Sequence, residues 1–405
     1  MKDYQIIEKL YESDNSTVYR AILKENNQPI ILKILKENYP TPSELARYKQ
    51  EFDITSSFNS DNIIKVQSLQ RYDNSLVMFV EDFGAKSFKK ILSEHQLTLE
   101  EFLIIAIKIV KGLNDIHAAN VIHKDINPSN VVYNQETKQL KIIDFGISTR
   151  LSQETQTFSN CQQLEGTLAY IAPEQTGRMN RGVDYRSDFY SLGATFYELL
   201  TGKLPFLTTD PIELVHSHIA LTPLSPYELM NAIPLVVSQI IMKLLSKDPE
   251  DRYQSTKGIV SDLEDCLNQL QTQGAITEFY LSRRDVSNKF RIPQRLYGRD
   301  KEICQLIDCF EKVSQGITEI TLISGYSGIG KTALVNELHK PITKNRGYFI
   351  KGKFEQLKRD IPYFAISQAL QNFILELLTE SELILKTWKQ KILEALGNNA
   401  QVISM

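Results

Sequence analysis

The chain has 405 residues, of which 42% are hydrophobic and 23% charged, and its 46 Lys and Arg nearly balance its 49 Asp and Glu. This ordinary composition excludes a disordered or low-complexity protein. The balanced charge gives no electrostatic reason for binding nucleic acid or a membrane surface. At roughly 150 residues per domain, the length predicts two or three domains.

Cysteine usage and apolar patterning indicate a reducing, aqueous environment. The sequence holds 4 cysteines without a C-x-x-C pair, so it predicts neither a disulfide framework nor a zinc site. The first residues lack the apolar core of a secretory signal, and the apolar stretch Phe102–Val110 is far short of the ~20 residues that span a bilayer. We expect a soluble cytoplasmic protein with no nucleic-acid partner and no membrane insertion.

The pattern of apolar residues changes from strand-like to helical at about Thr98. Before that point, short β-type runs surround one segment with helical spacing, Pro42–Phe58. The predicted strands are Gln5–Lys9, Ser16–Leu23, Pro29–Leu35, Ile63–Leu69 and Ser75–Val80. The later predicted helices are Leu99–His117, Asp184–Thr201, Thr209–Ile219, Pro234–Leu245 and Thr256–Gln271. The sequence therefore predicts a β-rich lobe followed by an α-rich lobe.

A second region follows residues 271–294, which are polar and which we interpret as a linker. After the linker, strand-like and helical segments alternate, which is typical of the start of a parallel α/β sheet. The predicted strands are Glu319–Ser324 and Tyr348–Lys353, and the predicted helices are Lys301–Ser314, a segment that begins at Lys331, and most of Ile361–Leu396.

Five short elements of the first region form one ordered set. Lys33 ends an apolar run, and Glu51 lies in the helical segment after it. The catalytic-loop motif His123–Asn130 (H-x-D-x-x-x-x-N), Asp144–Gly146 (DFG) and Ala172–Glu174 (APE) follow in that order. This set resembles the signature of the protein kinases, and the resemblance covers about residues 4–270.

The resemblance implies ATP and Mg²⁺ as cofactors and assigns a role to each element. The Lys33 ammonium would hold the α- and β-phosphates, and the Glu51 carboxylate would fix that ammonium. Asn130 and Asp144 would supply the oxygen ligands that Mg²⁺ prefers. Asp125 would accept the proton of the attacking substrate hydroxyl.

Further segments match structural parts of the same family. Glu81 and Phe83 stand where the adenine-binding hinge is expected, and Asp188–Gly193 resembles the buried-aspartate helix. Gly166–Glu174, here called the docking loop, resembles the substrate-docking loop of serine/threonine kinases, and Arg252 resembles the partner of its Glu174. The implied protein has an α+β bilobal kinase fold, with a small lobe of about 1–83 and a large lobe of about 84–270, and phosphorylates protein serines and threonines.

Three departures from the family pattern predict slower chemistry. The nucleotide loop Leu10–Val18 contains no glycine, so its backbone would approach phosphate less closely, and Glu12 and Asp14 in it would repel phosphate unless they point away. Lys124 replaces an arginine, and Asn127 replaces a lysine that would contact the γ-phosphate. A pseudokinase, a nucleotide-binding signalling scaffold without phosphotransfer, is the alternative. The segment 147–165 has few large apolar residues, which is typical of an activation loop, although a plain polar loop fits equally well.

A second phosphate-binding motif lies at Gly325–Thr332, which matches G-x-x-x-x-G-K-[ST] between a strand-like run and a helical segment. Gly325, Gly328 and Gly330 would let backbone amides surround a phosphate, Lys331 would reach the β/γ-phosphates, and Thr332 would bind Mg²⁺. Tyr297–Glu302 resembles the entry motif of AAA-like signalling ATPases, over about residues 295–405.

The ATPase region lacks one expected part. No acidic residue follows an apolar strand-like run between residues 333 and 405, so we expect an incomplete P-loop domain that binds ATP weakly and hydrolyses it poorly. The order of the two regions resembles the N-terminal part of bacterial hybrids that join a Hanks-type kinase, an AAA-like ATPase and a sensor histidine kinase. We therefore expect a shortened form or fragment of such a hybrid, with a downstream sensor or histidine-kinase module as partner.

Overall fold

The chain forms two compact units, Met1–Arg295 and Leu296–Met405. The computed structural model describes residues 4–13, 15–36, 40–72, 75–150, 166–177, 182–286, 296, 298–338, 341–342, 345, 347–354, 362–377 and 382–396. Most of the predicted activation loop therefore lies outside the described residues. The domain boundaries drawn from the sequence stay a prediction.

The small lobe is a five-stranded antiparallel sheet with one helix. Its strands are β1 (Tyr4–Glu12), β2 (Ser16–Leu23), β3 (Gln28–Leu35), β4 (Val66–Tyr72) and β5 (Ser75–Glu81). They pair in the order β1-β2-β3-β5-β4, so β3 lies at the centre with Lys33 opposite Val18 and Met78. The five predicted strands are confirmed, with ends that shift by a few residues.

The helix of the small lobe, α1 (Pro42–Ser56), begins at a complete capping box. The Thr41 hydroxyl accepts the Glu44 amide, the Glu44 carboxylate accepts the Thr41 amide, and Pro42 occupies the first turn, where its missing N–H is not needed. The buried face of α1 carries Tyr48 and Glu51 toward the sheet. The cap therefore fixes where the Glu51 carboxylate enters the site.

The large lobe is mainly helical, as predicted. Its helices are α2 (Phe88–Glu94), α3 (Leu99–Ala118), α4 (Arg186–Thr201), α5 (Pro211–Ala220), α6 (Pro226–Leu229), α7 (Leu235–Leu244) and α8 (Thr256–Gln273). Its short strands are β6 (Lys86–Ser87), β7 (Val121–Ile122), β8 (Val131–Tyr133), β9 (Leu140–Ile142) and β10 (Thr149–Arg150). The sequence missed α2, α6 and all of these short strands, because strands of two or three residues and helices of four to seven residues are too short to show a clear periodicity.

The core of the large lobe forms around α3 and α4. Both helices are buried along most of their length, and they share one apolar cluster with α7 and α8. Gly193 lets α4 approach α7 closely, because a Cβ at this position would lie 2.8 Å from the Leu244 Cβ. This rigid body carries the catalytic loop between β7 and β8.

Residues 274–286, within the predicted linker, pack against α8 as an ordered strap. Ile276, Phe279 and Leu281 cover part of the main apolar cluster. The Asp285 carboxylate accepts hydrogen bonds from the Gln254 amide at 2.7 Å and from the Ser255 hydroxyl at 2.8 Å. A Cβ at residue 258 would lie 2.5 Å from this carboxylate, so a glycine is required there. The strap thus fixes the start of α8.

The second unit contains four described helices, α9 (Asp300–Ser314), α10 (Lys331–Asn336), α11 (Phe364–Leu377) and α12 (Glu382–Leu396). These confirm the predicted helices. The predicted strands Glu319–Ser324 and Tyr348–Lys353 are wrong, because neither segment pairs with another strand among the described residues. Apolar residues alone do not make a strand, since a strand exists through its hydrogen-bonded neighbours.

The side chains of the first wrongly predicted strand are exposed. Ile320 is 87% exposed and Leu322 is 92% exposed. In the second segment, Tyr348 instead packs edge-on against Phe373 and Trp388 of the last two helices. In the described part of the chain, no helix combines the length and the apolar character needed to cross a bilayer.

We predict that Asp285→Ala lowers the free energy of unfolding by about 1–3 kcal/mol, because the Gln254 amide and the Ser255 hydroxyl lose a charged acceptor. Thermal and urea unfolding of the full chain would measure this change. Glu278→Ala removes an exposed carboxylate from the same strap and is the matched control. Equal stability of the two variants would contradict a structural role for Asp285.

Candidate active site

Three charged side chains from three different elements meet between the lobes. Lys33 Nζ from β3 lies 2.6 Å from Glu51 Oε1 of α1 and 3.1 Å from Asp144 Oδ1 of the DFG motif. The Glu51 side chain is 7% exposed, whereas that of Asp144 is 42% exposed. The structure thus brings together three predicted site residues, although Glu51 and Asp144 lie 18 and 111 positions after Lys33 in sequence.

The charges of this cluster stabilise one another. Burial alone would lower the pKa of the Lys33 ammonium, but the carboxylates of Asp144 and Glu51 outweigh it and raise that pKa. Burial raises the pKa of Glu51, against the attraction of Lys33. The surrounding protein also disfavours charge on Asp144, but Lys33 outweighs this effect and lowers its pKa. Glu51 is therefore the carboxylate that takes up a proton first on acidification.

The catalytic loop His123–Asn130 holds the Asp125 carboxylate from two sides. Asn130 Nδ2 donates to Asp125 Oδ2 at 2.8 Å, and the Thr167 amide of the docking loop donates to Asp125 Oδ1 at 2.9 Å. Asn130 Nδ2 also donates to the Asp125 carbonyl at 2.9 Å. The carboxamide nitrogen of Asn130 is thus engaged with the protein, and its oxygen is the atom with metal-binding chemistry.

The catalytic loop rests on a carboxylate buried beneath it. Asp188 is 0% exposed and accepts the backbone N–H groups of His123 at 2.9 Å and Lys124 at 2.7 Å. The ring of His117 donates to the same carboxylate at 2.8 Å. Lys124 has a φ of 70°, a left-handed conformation that non-glycine residues rarely adopt. Asp188 therefore holds a strained turn just before Asp125.

The DFG motif has its phenylalanine packed inward. Phe145 is 1% exposed and lies 5.0 Å from the Phe58 ring and 4.9 Å from the His123 ring. Asp144 has a φ of 66°, which turns its carboxylate toward Lys33. A Cβ at Gly146 would lie 3.3 Å from Asp144 Oδ1, so a larger residue there would crowd this carboxylate.

In the glycine-free nucleotide loop, two lysines pair with Glu12. Lys36 donates to Glu12 Oε1 at 2.7 Å, and Lys9 donates to Glu12 Oε2 at 2.5 Å. The hydrogen bonds from Lys36 and Lys9 lower the pKa of Glu12 to about 2. Lys36 also binds the Ser13 carbonyl at 3.0 Å, while the Ser13 amide donates to the Ser16 carbonyl. Of the two acidic residues expected to repel phosphate, Glu12 is therefore paired, and Asp14 lies outside the described residues.

The predicted hinge residues lie in the connection between the lobes. Glu81 ends β5, and its carboxylate accepts Lys141 Nζ and the Lys65 amide. The Phe83 carbonyl accepts Asn134 Nδ2, and its ring lies 5.3 Å from Lys141 Nζ. The large lobe thus fixes the hinge through these two residues. Adenine contact through the hinge backbone stays a prediction.

The docking loop is anchored by a buried ion pair. Arg252 donates to both carboxylate oxygens of Glu174, at 2.7 and 2.9 Å, and the two side chains are 0% and 1% exposed. Arg252 also donates to backbone carbonyls through Nε and both terminal nitrogens, so every nitrogen of the buried guanidinium has a hydrogen-bond acceptor. Gln175 Nε2 donates to the Lys124 carbonyl at 2.9 Å and joins this loop to the catalytic loop.

Sequence reasoning missed three residues that support the site, Lys36, Lys141 and Gln175. Each acts through a contact with a segment distant in sequence, or through a loop conformation that no motif encodes. The spacing of Lys36, three residues after Lys33, gave no usable signal, because exposed lysines are common at strand ends.

The second motif keeps the backbone shape that its glycines permit. Gly328 and Gly330 have φ values of 82° and 91°, which side-chain-bearing residues rarely adopt. Lys331 Nζ donates to the carbonyls of Gly325 and Tyr326, both at 2.8 Å. Lys331 and Thr332 begin α10, directly after the glycines. The five predicted residues of this motif therefore form one continuous turn.

The donor set of the first site suits a magnesium ion shared with a nucleotide. Among the residues that the structure describes, no group of three His, Cys, Asp or Glu side chains forms a metal cage. Asp144 and Asn130 offer a carboxylate and a carboxamide oxygen, and Mg²⁺ commonly combines one or two such ligands with phosphates and water. The residues thus fit Mg²⁺ that arrives with ATP.

Comparison with known families divides the chain in two. The family model described as protein kinase domain matches residues 4–263. The family model described as AAA ATPase domain matches residues 295–404.

Two classes of relatives are similar to this chain. Hybrid signal transduction histidine kinase G of Dictyostelium discoideum is 34% identical over 395 residues, which cover 76% of this chain and 11% of that protein. A probable serine/threonine-protein kinase of Clostridium perfringens is 32% identical over 263 residues, covering 64% of this chain and 38% of that protein. Serine/threonine-protein kinase PrkC of Bacillus subtilis is 29% identical over 265 residues, covering 64% and 40%. The chain therefore spans less than half of each relative.

We predict that acidification weakens ATP binding at the first site at a pH above the ordinary pKa of a glutamate. Because the pKa of Glu51 is raised, Glu51 takes up a proton before Asp144 does, and Lys33 then loses the carboxylate that orients it. The ATP-induced rise in melting temperature, followed from about pH 8 to about pH 5 in a chain carrying Lys331→Ala, would measure this loss.

Glu51→Gln is the control for this pH dependence, since glutamine cannot titrate while the protonation of ATP itself is unchanged. We expect the variant to show a smaller ATP-induced shift at high pH and a flatter profile. Parallel pH profiles for the parent and Glu51→Gln would contradict the assignment.

Proposed function

The chain belongs to the protein kinase family, and we propose that it transfers the γ-phosphate of ATP to serine and threonine hydroxyls of protein substrates. The observation that carries this proposal is the complete polar set between the lobes. Lys33 contacts both Glu51 and Asp144, and Asp125 contacts both Asn130 and the docking loop. Each residue of the set has a partner that fixes its orientation.

Each role follows from the chemistry of the side chain. The Lys33 ammonium, held by Glu51, is placed to bind the α- and β-phosphates. The substrate hydroxyl oxygen attacks the γ-phosphorus, the bond to the ADP oxygen breaks, and the hydroxyl proton passes to the Asp125 carboxylate. Asp144 and Asn130 would hold Mg²⁺, which neutralises the charge on the phosphates when it is bound.

Two features support serine or threonine as the phosphate acceptor. The docking loop Gly166–Glu174 has the sequence pattern of the serine/threonine kinases, and its Thr167 amide touches Asp125. The bacterial relatives over the kinase region are named as serine/threonine-protein kinases.

The pairing of Glu12 with Lys9 and Lys36 favours transfer over the pseudokinase alternative. This carboxylate is one of the two, with that of Asp14, that were expected to repel phosphate at a loop without glycine. Once it is neutralised, the loop presents no uncompensated negative charge from Glu12, and the catalytic set remains complete. The pseudokinase becomes an outcome that the experiment below distinguishes.

We further propose that residues 295–404 bind ATP at the turn Gly325–Thr332. The left-handed glycines and the position of Lys331 support binding.

The similarity to hybrid histidine kinases supports a role in signal transduction, with a sensor or histidine-kinase module as the proposed downstream partner. A cytoplasmic location stays a prediction from the sequence.

We predict that Asp125→Asn reduces phosphate transfer by about 10²–10⁴-fold, because the amide cannot accept the substrate proton. The intact mass of the full chain after incubation with Mg²⁺ and ATP, and the labelling of a generic acceptor protein, would measure transfer. Nucleotide binding should persist in Asp125→Asn, since Lys33, Glu51 and Asp144 are unchanged. Equal transfer by the parent and the variant would contradict the proposed base.

A parent chain that gains no phosphate, yet is stabilised by ATP in the Lys331→Ala background, would instead establish the pseudokinase.

We predict that the full chain binds two ATP molecules and that Lys331→Ala removes the weaker site, while Lys33→Met removes the other. Isothermal titration of the parent and the two variants would count the sites. Two binding events that persist in Lys331→Ala would contradict ATP binding at Gly325–Thr332.

A further inference from the structure

Asn127 lies at the point where the catalytic loop and the docking loop touch. It is 2% exposed, and each polar atom of its carboxamide has two partners. Its oxygen accepts the Ser129 amide at 2.8 Å and the Asn130 amide at 3.3 Å. Its nitrogen donates to the Asp125 carbonyl at 3.2 Å and to the Thr167 hydroxyl at 3.3 Å.

The accepting side of Asn127 shapes the turn that carries Asn130. The Asn130 amide also donates to the Asn127 carbonyl at 3.0 Å, so backbone and side chain close the same turn. An asparagine that accepts the amides of the following residues forms a local turn in this way. The turn brings Asn130 Nδ2 to the Asp125 carboxylate and so fixes which way the Asn130 carboxamide faces.

The donating side of Asn127 reaches the docking loop. Thr167 receives this hydrogen bond on its hydroxyl and donates its own amide to Asp125 Oδ1. Asn127 and Asp125 therefore hold Thr167 together, from its side chain and from its backbone. A displacement of either loop breaks contacts in both.

A lysine at this position could not make the same contacts. An ammonium group has three donors and no acceptor, so the amides of Ser129 and Asn130 would lose their side-chain partner. The Asn130 amide would keep the Asn127 carbonyl as its acceptor, but the half-buried Ser129 amide would lose the acceptor that the Asn127 side chain supplies, which weakens the turn. The asparagine is thus chemically suited to shape the loop rather than to carry positive charge toward a phosphate.

We infer that Asn127 is a positioning residue that orients the metal ligand Asn130 and ties the catalytic loop to Thr167 of the docking loop. This inference rests on the proposed function for the role of Asn130. In this inference, Asn127 does not contact the nucleotide. Replacement of Asn127 by lysine is accordingly expected to lower phosphate transfer rather than raise it.

The test uses the full chain with Lys331→Ala, so that nucleotide effects report on the first site. The Mg²⁺ concentration that gives half of the ATP-induced rise in melting temperature is measured for the parent, Asn127→Ala and Asn127→Lys. Both variants should need about 10-fold more Mg²⁺, since losing a residue that orients a metal ligand typically weakens metal binding by about 10–100-fold. Phosphate transfer should fall by about 10–100-fold in both.

Two further variants separate positioning from simple destabilisation. Thr98→Ala removes the cap of α3, far from the catalytic loop in sequence, and should lower the melting temperature without changing the Mg²⁺ requirement. Thr167→Val removes the hydroxyl acceptor and should raise the KM for the protein acceptor with little change in the Mg²⁺ requirement. Combining Asn127→Ala with Thr167→Val should cost less than the product of the two single effects on transfer, because both break the same contact.

The outcomes separate this inference from the proposed function. An unchanged Mg²⁺ requirement in Asn127→Ala, or faster transfer by Asn127→Lys, would overturn the inference. A parent that binds ATP with Mg²⁺ but transfers no phosphate would overturn the proposed function, while a raised Mg²⁺ requirement in Asn127→Ala would still support positioning. A chain that ATP does not stabilise at any Mg²⁺ concentration would overturn both.

Discussion

The site depends first on the buried carboxylate of Asp188. A charge taken out of water is costly unless hydrogen bonds surround it, and here the amides of His123 and Lys124 and the ring of His117 supply them. The same bonds hold Lys124 in a left-handed conformation that the chain would otherwise avoid. One interaction from α4 therefore fixes the backbone that presents Asp125 to substrate.

A second set of charges joins elements that are distant in sequence. Lys33 is shared by Glu51 from the capped helix α1 and Asp144 from the DFG motif, so the sheet, the helix and the large lobe meet at one ammonium group. The nucleotide loop departs from the family pattern, but Lys36 pairs its Glu12 and also binds the Ser13 carbonyl. The loop that lacks glycines thus has the charge of its Glu12 balanced by a lysine.

The docking loop is connected by hydrogen bonds to the strap that follows α8. Arg252 is fully hydrogen-bonded to Glu174 and to neighbouring carbonyls, and breaking such a buried pair typically costs about 3–5 kcal/mol. Gln254, two residues later, accepts a hydrogen bond from Arg186 and donates its amide to Asp285 of the strap. The strap beyond the matched kinase region therefore contacts the segment that anchors the docking loop.

The sequence alone determined the longer helices, the main strands and the identity of the polar set, because periodicity and motif order are local properties of the chain. It also exposed the departures at Asn127 and in the nucleotide loop. Only the tertiary structure decided what those departures do, since Thr167, which contacts Asn127, and Lys36, which pairs with Glu12, come from other segments. The strands expected at Glu319–Ser324 and Tyr348–Lys353 did not form, because a strand requires a hydrogen-bonded neighbour that apolar patterning cannot supply.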